Sequence, residues 1–180
     1  MRGLGNMWGT GLFKNNACDF CDDVTTELAD ISLGDAWLSP YFKDGRGTNV
    51  VVVRSNLAKN IIDTGVNSSV LEVLELNFDQ FLKSQQGSFN HRHKALAYRV
   101  KLAKKKGVIV PPKRHDKENI SFDFKLVQKQ RLITRKKSLD TWSVGGEQLY
   151  QREMPKALIN LKNKTKLNHY IRAVKRRLSL

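Results

Sequence analysis

The chain has 180 residues and a mass of 20.6 kDa, with 40% hydrophobic and 27% charged residues. This length suits one ordinary domain with a real core, with or without a tail, and excludes two full domains. Lys and Arg number 32 against 17 Asp and Glu, which gives a formal net charge of +15. The excess predicts an acidic partner: nucleic acid, a phosphorylated cofactor, an anionic membrane surface or an acidic protein.

The charge divides unevenly along the chain. Residues 1–90 carry 7 basic and 11 acidic side chains, a balance of −4, whereas residues 91–180 carry 25 and 6, a balance of +19. We therefore expect the two halves to serve different partners or different roles. No apolar run approaches the roughly 20 residues of a membrane span, and the first residues lack the apolar stretch of a signal peptide. The sequence thus predicts a cytoplasmic protein.

Turn signals, caps and hydrophobic periodicity predict the elements of the first half. They favour a short helix at 22–29, a strand and turn at 29–37, a buried strand at 49–54, a helix at 55–66 capped by Ser55, and a strand at 70–76. Strand, helix and strand at this spacing indicate a βαβ unit, so part of the sheet is expected to be parallel.

The second half is predicted to be helical and basic. Residues 89–106 favour a basic helix, Pro111-Pro112 interrupts regular structure, and 120–138 and 147–178 favour further helices. The predicted fold class is α/β: a small mixed sheet with flanking helices, followed by a basic helical tail. The predicted domains are residues 1–112 and the tail, 113–180.

Cys18 and Cys21 are the only cysteines and form one C-x-x-C pair. In a reducing compartment this pair suggests metal or redox chemistry over a structural disulfide, since the intervening turn places both sulfurs on one side. A zinc ion or an iron–sulfur cluster usually needs four protein ligands. Histidines can complete a zinc site in principle, but His91-x-His93 is too tightly spaced for the usual finger pattern. On spacing alone, a ligand pair and an incidental thiol pair stay equally open.

A longer pattern surrounds the cysteines: C-x-x-C-D, an acid five residues after that Asp, then A-D-I-S-x-G-D-A-W. Its positions are Cys18, Cys21, Asp22, Glu27, Ala29, Asp30, Ile31, Ser32, Gly34, Asp35 and Trp37. The pattern resembles the C-terminal domain of the coenzyme F-420 hydrogenase/dehydrogenase beta-subunit family. Residues 47–55 also resemble the family's glycine turn, hydrophobic strand and Arg-Ser pair. The resemblance covers about residues 10–112.

The resemblance implies a flavin and iron–sulfur oxidoreductase subunit, or a fragment of one, that acts in electron transfer. The implied cofactors are an iron–sulfur cluster of the 4Fe–4S type, FAD, and coenzyme F-420 or another electron acceptor. Members normally carry an N-terminal half, often with ferredoxin-like cysteine runs. We therefore expect a truncated or split member, in which a missing N-terminal half or a separate redox subunit supplies the other cluster ligands. Such a chain is not self-sufficient as an enzyme.

The resemblance also implies site residues, although no catalytic residue is assigned. The implied metal ligands are Cys18 and Cys21, and the implied cofactor-binding residues are Asp22, Glu27, Asp30, Gly34, Asp35, Trp37 and Arg54. The carboxylates would orient the flavin, the glycine would let it approach the backbone, Trp37 would stack near it and Arg54 would pair with a phosphate. Each has a structural alternative: helix caps and turn bonds for the acids, positive φ for the glycine, core packing for the tryptophan and a surface salt bridge for the arginine.

The basic helix at 89–106 has three open interpretations. Its cations are Arg92, Lys94, Arg99, Lys101, Lys104, Lys105 and Lys106. They dock an acidic redox partner or phosphorylated coenzyme, bind nucleic acid, or form a solvated helix face, which is the commonest role of such lysines. Few aromatic residues lie between the charges, fewer than single-strand binders require, so no specific nucleic acid is expected.

Residues 171–178 are amphipathic enough to touch an anionic membrane surface. That contact would place the protein at the inner face of the membrane, where a bacterial glycan-assembly enzyme would work. The alternative function is a non-catalytic basic interaction module that binds nucleic acid or an anionic membrane. Phosphate-loop, nucleophile-elbow and H-E-x-x-H motifs are missing from the sequence, so hydrolase and triphosphatase functions lack support.

Overall fold

The computed structural model describes residues 10–115 and 120–178. A 3-10 helix (Asn16–Asp19) precedes strand β1 (Ile31–Asp35), a second 3-10 helix (Tyr41–Lys43) and strand β2 (Asn49–Val53). Helices α1 (Asn56–Asn67), α2 (Phe78–Ser84) and α3 (Gln86–Phe89) follow, then a π-helical turn (Asn90–Lys94), α4 (Leu96–Lys104) and α5 (Phe122–Leu178). Within the described ranges no helix is both long enough and apolar enough to cross a bilayer.

Strands β1 and β2 form an antiparallel pair, with Ile31 opposite Val53 and Asp35 opposite Asn49. Ser32 and Val50 are buried on one face of the pair, whereas Leu33 and Val51 are exposed on the other. This alternation is typical of an antiparallel sheet with one covered face. The strand predicted at 49–54 is therefore confirmed, but it is buried on one face only.

The α/β class is confirmed, whereas the mixed sheet with a parallel βαβ unit is wrong. In the described part of the chain the sheet consists of β1 and β2, and residues 70–76 form no strand. The chain between β1 and β2 is a loop that reverses direction, which produces an antiparallel pair. Val70 and Leu74 lie exposed. Their alternating pattern predicted a strand, but a strand also needs a neighbour to supply its hydrogen bonds.

The short helix predicted at 22–29 is also wrong, because these residues form bends and turns. The Asp23 carboxylate accepts hydrogen bonds from the backbone N–H of Thr25 at 3.1 Å and of Glu27 at 3.2 Å. Such local side-chain bonds compete with a helix, and the β-branched residues in this stretch have low helix propensity.

The helix predictions further along the chain hold. Helix α1 begins after Ser55, whose Oγ accepts a hydrogen bond from the Ala58 N–H at 3.3 Å, and it ends at Asn67, one residue beyond the predicted end at 66. The basic helix predicted at 89–106 exists in pieces, as the π-helical turn and α4.

Helix α5 is a hairpin of two antiparallel arms. Gly145 and Gly146 have non-helical backbone angles and separate a first arm, 122–144, from a second arm, 147–178. Contacts between the arms join positions at increasing distance from this corner. They are Lys137 with Glu153 at 3.2 Å, Lys164 with Gln130 at 2.8 Å, and Asn168 with Asp123. The helices predicted at 120–138 and 147–178 correspond to these arms.

Gly146 is expected to be essential to the corner of this hairpin. Its φ of 55° and ψ of −145° lie close to a region that only glycine occupies readily. Gly146→Ala should therefore lower the free energy of unfolding by about 1–3 kcal/mol, measured by urea denaturation. Gly45→Ala is the control, because a Cβ there meets no atom within 4 Å and its φ is not positive. Equal stabilities for the two variants would contradict this account of the corner.

The structured chain divides into two compact units. The first combines the segment up to Cys21 with the chain from Lys94 onward, and the second is Asp22–His93. By sequence the first unit carries 26 basic and 7 acidic residues, and the second carries 6 and 10. The predicted domains, 1–112 and 113–180, divide the chain differently and stay a prediction; residues 116–119 and 179–180 of that tail lie outside the described residues.

The apolar core of the first unit joins its N-terminal segment to the second arm of α5. Leu12, Tyr150 and Met154 are buried together, and Phe13 stacks on Tyr150 with ring centroids 5.4 Å apart. The Phe13 N–H also donates to Ser138 Oγ at 3.0 Å. Burial raises the pKa of the Tyr150 hydroxyl. The segment that leads into the cysteine pair is thus fixed on the hairpin.

Candidate functional site

The two cysteines lie in a tight turn, residues 16–21, which we call the thiol turn. Asn15 Oδ1 accepts a hydrogen bond from the Ala17 N–H at 2.8 Å at the start of the 3-10 helix, and the Phe20 N–H donates to Ala17 O at 3.0 Å at its end. Cys18 and Cys21 form no disulfide, and both residues are half-buried. The turn therefore combines a defined backbone with two half-buried cysteines.

Asp19, between the two cysteines, anchors the thiol turn. It is only 4% exposed. Its Oδ1 lies 2.9 Å from Lys14 Nζ and its Oδ2 lies 2.6 Å from Arg135 Nε. Arg99 Nε donates to the backbone oxygen of Asp19 at 2.8 Å. The Arg99 contact is a charge-assisted hydrogen bond, whereas Arg135 Nε is close to the carboxylate but not aligned to donate to it, so α4 contributes a hydrogen bond and α5 an ion pair to the turn.

Positive charge is concentrated behind the thiol turn. Arg99 is 1% exposed and its Nη1 donates to Gln128 Oε1 at 3.0 Å. Gln128, Arg131 and Arg135 follow one another along α5 at spacings of three and four residues, which places them on one helix face. Burial lowers the pKa of the Arg131 guanidinium. At the turn itself the positive charge comes from Lys14, Arg99 and Arg135, and the Asp19 carboxylate balances part of it. The remaining positive charge suits a thiolate-ligated metal centre, which carries negative charge.

The described residues do not form a complete metal centre. They contain no group of three or more His, Cys, Asp and Glu side chains that could hold a metal ion. The two thiols amount to half of the four ligands that an iron–sulfur cluster usually takes. The thiol turn thus fits one side of a cluster, and the remaining ligands have to come from elsewhere.

A cleft lies on the covered face of the sheet in the second unit. Its lining includes Ser32, Gly34 and Val50 from the strands, Thr25 from the preceding segment and Gln85 at the end of α2. About 30 Å³ of it is open to the centre of a water-sized molecule. Pockets that bury a drug-sized ligand span roughly 300–1,000 Å³. The cleft does not enclose a flavin dinucleotide, but it can form one wall of a larger site.

The thiol turn and both strands fall within a region that matches a known family. Residues 3–78 match the family described as the C terminus of the beta subunit of coenzyme F420 hydrogenase/dehydrogenase. The predicted resemblance is confirmed over these residues. The match ends at residue 78, whereas the predicted resemblance extended to about 112. No curated protein and no solved structure gives a significant match to the chain.

Within the matched region, Gly34 is the predicted cofactor-binding residue that lines the cleft. A Cβ added at Gly34 would make only ordinary contact with Gln85, at 3.6 Å, so close packing does not demand glycine there. Asp30 and Asp35 are exposed. Trp37 is 63% exposed, which excludes the alternative of core packing. The structure does not gather these residues around one cavity, and their cofactor roles stay predictions.

Arg54 organises the segment that borders the cleft. Its Nη1 donates to Ala29 O at 3.0 Å and to Ser32 Oγ at 3.1 Å, and its Nη2 donates to Thr25 O at 2.8 Å. The guanidinium therefore ties the end of β2 to the chain before β1. The structural alternative, a surface salt bridge, does not describe these contacts.

The start of the segment before β1, at Asp22 and Asp23, is held by residues that the sequence pattern did not assign to the site. His93 Nε2 lies 3.0 Å from the backbone oxygen of Asp22, and Arg92 Nη1 donates to the backbone oxygen of Asp23. Asp22 does not cap a helix, since residues 22–29 form none, and Asp23 makes the local turn bonds instead. Glu27 is half-buried and its N–H donates to Asp23. The sequence feature that predicts the local turn bonds of Asp23 is its position two residues before Thr25.

Proposed function

We propose that the chain is part of a flavin and iron–sulfur oxidoreductase subunit, in which the thiol turn supplies two ligands to a shared cluster. The family match spans the turn and supports a redox subunit. The observation that carries the proposal is the buried Asp19, which holds the backbone between two half-buried cysteines through ion pairs to Lys14 and Arg135. Ligands held in place before the metal binds lose less conformational entropy when it does.

The second unit supplies one wall of the flavin site in this proposal. The cleft on the sheet is too small for FAD, so the rest of the site belongs to an N-terminal half or a separate redox subunit. When bound, the shared cluster and FAD would supply electron transfer to or from coenzyme F-420 or another acceptor. The cytoplasm, where thiols stay reduced, is the compartment that suits such a centre.

Anaerobic reconstitution of the full chain with ferrous iron and sulfide tests the thiol turn. Because each chain offers two thiols, a four-thiolate cluster formed by this chain alone has to bridge two copies. We expect broad visible absorption, with iron and sulfide retained after gel filtration, in a species of twice the chain mass. Cys18→Ser and Cys21→Ser should each abolish both the absorption and the dimer.

His169→Ser is the matched control, because His169 is an exposed imidazole on the second arm of α5 and lies far along the chain from the cysteines. It should retain the full iron content and absorption. If the two cysteine variants keep the iron and the absorption of the unaltered chain, the thiols are not ligands and the proposed function fails.

A further inference from the structure

The second arm of α5 has an unusual charge distribution. Between Met154 and Leu178 it carries eight basic side chains and no acidic one. Lys156, Lys162 and Lys166 are exposed, as are the arginines near its end. Two of the eight, Lys164 and Lys175, face polar groups of the first arm, through Gln130 and Asp123 respectively. Most of this charge therefore faces outward.

Large apolar side chains lie on the same outward side. Ile159, Leu167 and Tyr170 are 57%, 48% and 69% exposed. At 3.6 residues per turn they fall on one side of the helix, together with Lys156 and Lys166. The buried side chains Ala157, Leu161 and Asn168 fall on the opposite side. We call the exposed set of Lys156, Ile159, Lys166, Leu167 and Tyr170 the outer face.

We propose that the outer face docks on an anionic membrane surface. An interfacial helix places its apolar side chains at the boundary between headgroups and acyl chains, and its lysines reach the lipid phosphates. Tyrosine suits this depth because its ring is apolar and its hydroxyl is polar. Juxtamembrane cations gain further attraction from the negative surface potential of anionic lipids.

The apolar residues of the outer face decide between a membrane and nucleic acid. Lysines bind the phosphates of either partner, but a nucleic-acid backbone gains nothing from exposed aliphatic side chains such as Ile159 and Leu167. Single-strand binders instead place several aromatic side chains along the strand, and the outer face has one, Tyr170. This surface is independent of the thiol turn and of the proposed redox role.

Flotation of the full chain with vesicles tests the proposal. The vesicles contain phosphatidylcholine alone, or phosphatidylcholine with about one third phosphatidylglycerol, a charge density at which anionic attraction is strong. We expect binding to the anionic vesicles and not to the neutral ones, and loss of binding as salt rises. The double variant Lys156→Gln with Lys166→Gln should bind about thirtyfold more weakly, since each cation near an anionic surface changes affinity about fivefold.

The apolar contribution is tested by the double variant Ile159→Asn with Tyr170→Asn, which keeps every charge and should bind at least about tenfold more weakly. The matched controls are Ile133→Asn and Lys129→Gln on the first arm, both at exposed positions, and they should change binding less than about twofold. Circular dichroism confirms that each variant keeps its helices. Unchanged vesicle binding by the Ile159 and Tyr170 variant would overturn the proposal. So would tighter binding to unrelated DNA duplexes that this variant does not weaken.

Discussion

Replacing Asp19 by Asn is expected to lower the free energy of unfolding of the chain by about 3–5 kcal/mol. Asp19 is buried, and its carboxylate lies 2.9 Å from Lys14 Nζ and 2.6 Å from Arg135 Nε. The neutral amide keeps the shape of the side chain but leaves both cations without their counter-charge, one of them in a largely buried position. Urea denaturation followed by circular dichroism measures the loss.

Asp140→Asn is the matched control for Asp19→Asn. Asp140 also pairs with a lysine, Lys136, at 2.7 Å, but both side chains are exposed and four residues apart on a helix. Such pairs contribute about 0.3–0.5 kcal/mol. A second measurement is the rate at which the thiols react with an alkylating agent, which should rise in Asp19→Asn because the turn is no longer held. If both variants are equally stable and equally reactive, Asp19 does not anchor the turn.

Replacing Arg99 by Met is expected to cost about 3 kcal/mol of stability. The guanidinium donates to the backbone oxygen of Asp19 and to Gln128 Oε1, and all three residues are buried. Methionine fills part of the volume but leaves both acceptors without this donor, at about 1–3 kcal/mol for each unsatisfied group. Lys104→Met is the control, since Lys104 is exposed at the end of the same helix.

Adding Gln128→Leu to Arg99→Met should recover part of the lost stability. When both partners of a buried hydrogen bond become apolar, the cost is much smaller than when one is removed. A double variant less stable than the sum of the two single changes would show that the Arg99–Gln128 contact does not carry the energy.

Short-range sequence features were sufficient to predict much of the fold. Strand β2 is a run of valines bounded by a turn, and α1 begins at a capping serine, so both follow from neighbouring residues alone. The prediction of a parallel βαβ unit is wrong because it depended on contacts between distant residues. Strand pairing depends on a partner elsewhere in the chain, and the alternation at 70–76 carries no information about whether such a partner exists.

The cysteine pair of the candidate site could be predicted from the sequence, whereas most of the residues that hold it could not. The spacing of Cys18 and Cys21 identifies the pair, but two of the three partners of Asp19, Arg99 and Arg135, lie 80 and 116 residues further along the chain. Arg99 was grouped with lysines whose commonest role is a solvated face, yet it is almost fully buried. No feature of the neighbouring sequence distinguishes this buried arginine from the exposed lysines around it.

The insertion of the second unit between the two parts of the first has a consequence for synthesis on the ribosome. Asp19 is made 116 positions before Arg135, with all of Asp22–His93 made in between. At about 5–20 residues per second, this delay lasts about 6–23 s. Arg99 has not been made for the first 80 of these positions and Arg135 for all 116, so throughout the interval the thiol turn lacks at least one of its two arginine partners. Metal or oxidant that reaches the cysteines in this interval therefore meets a segment that has not yet acquired its native anchor.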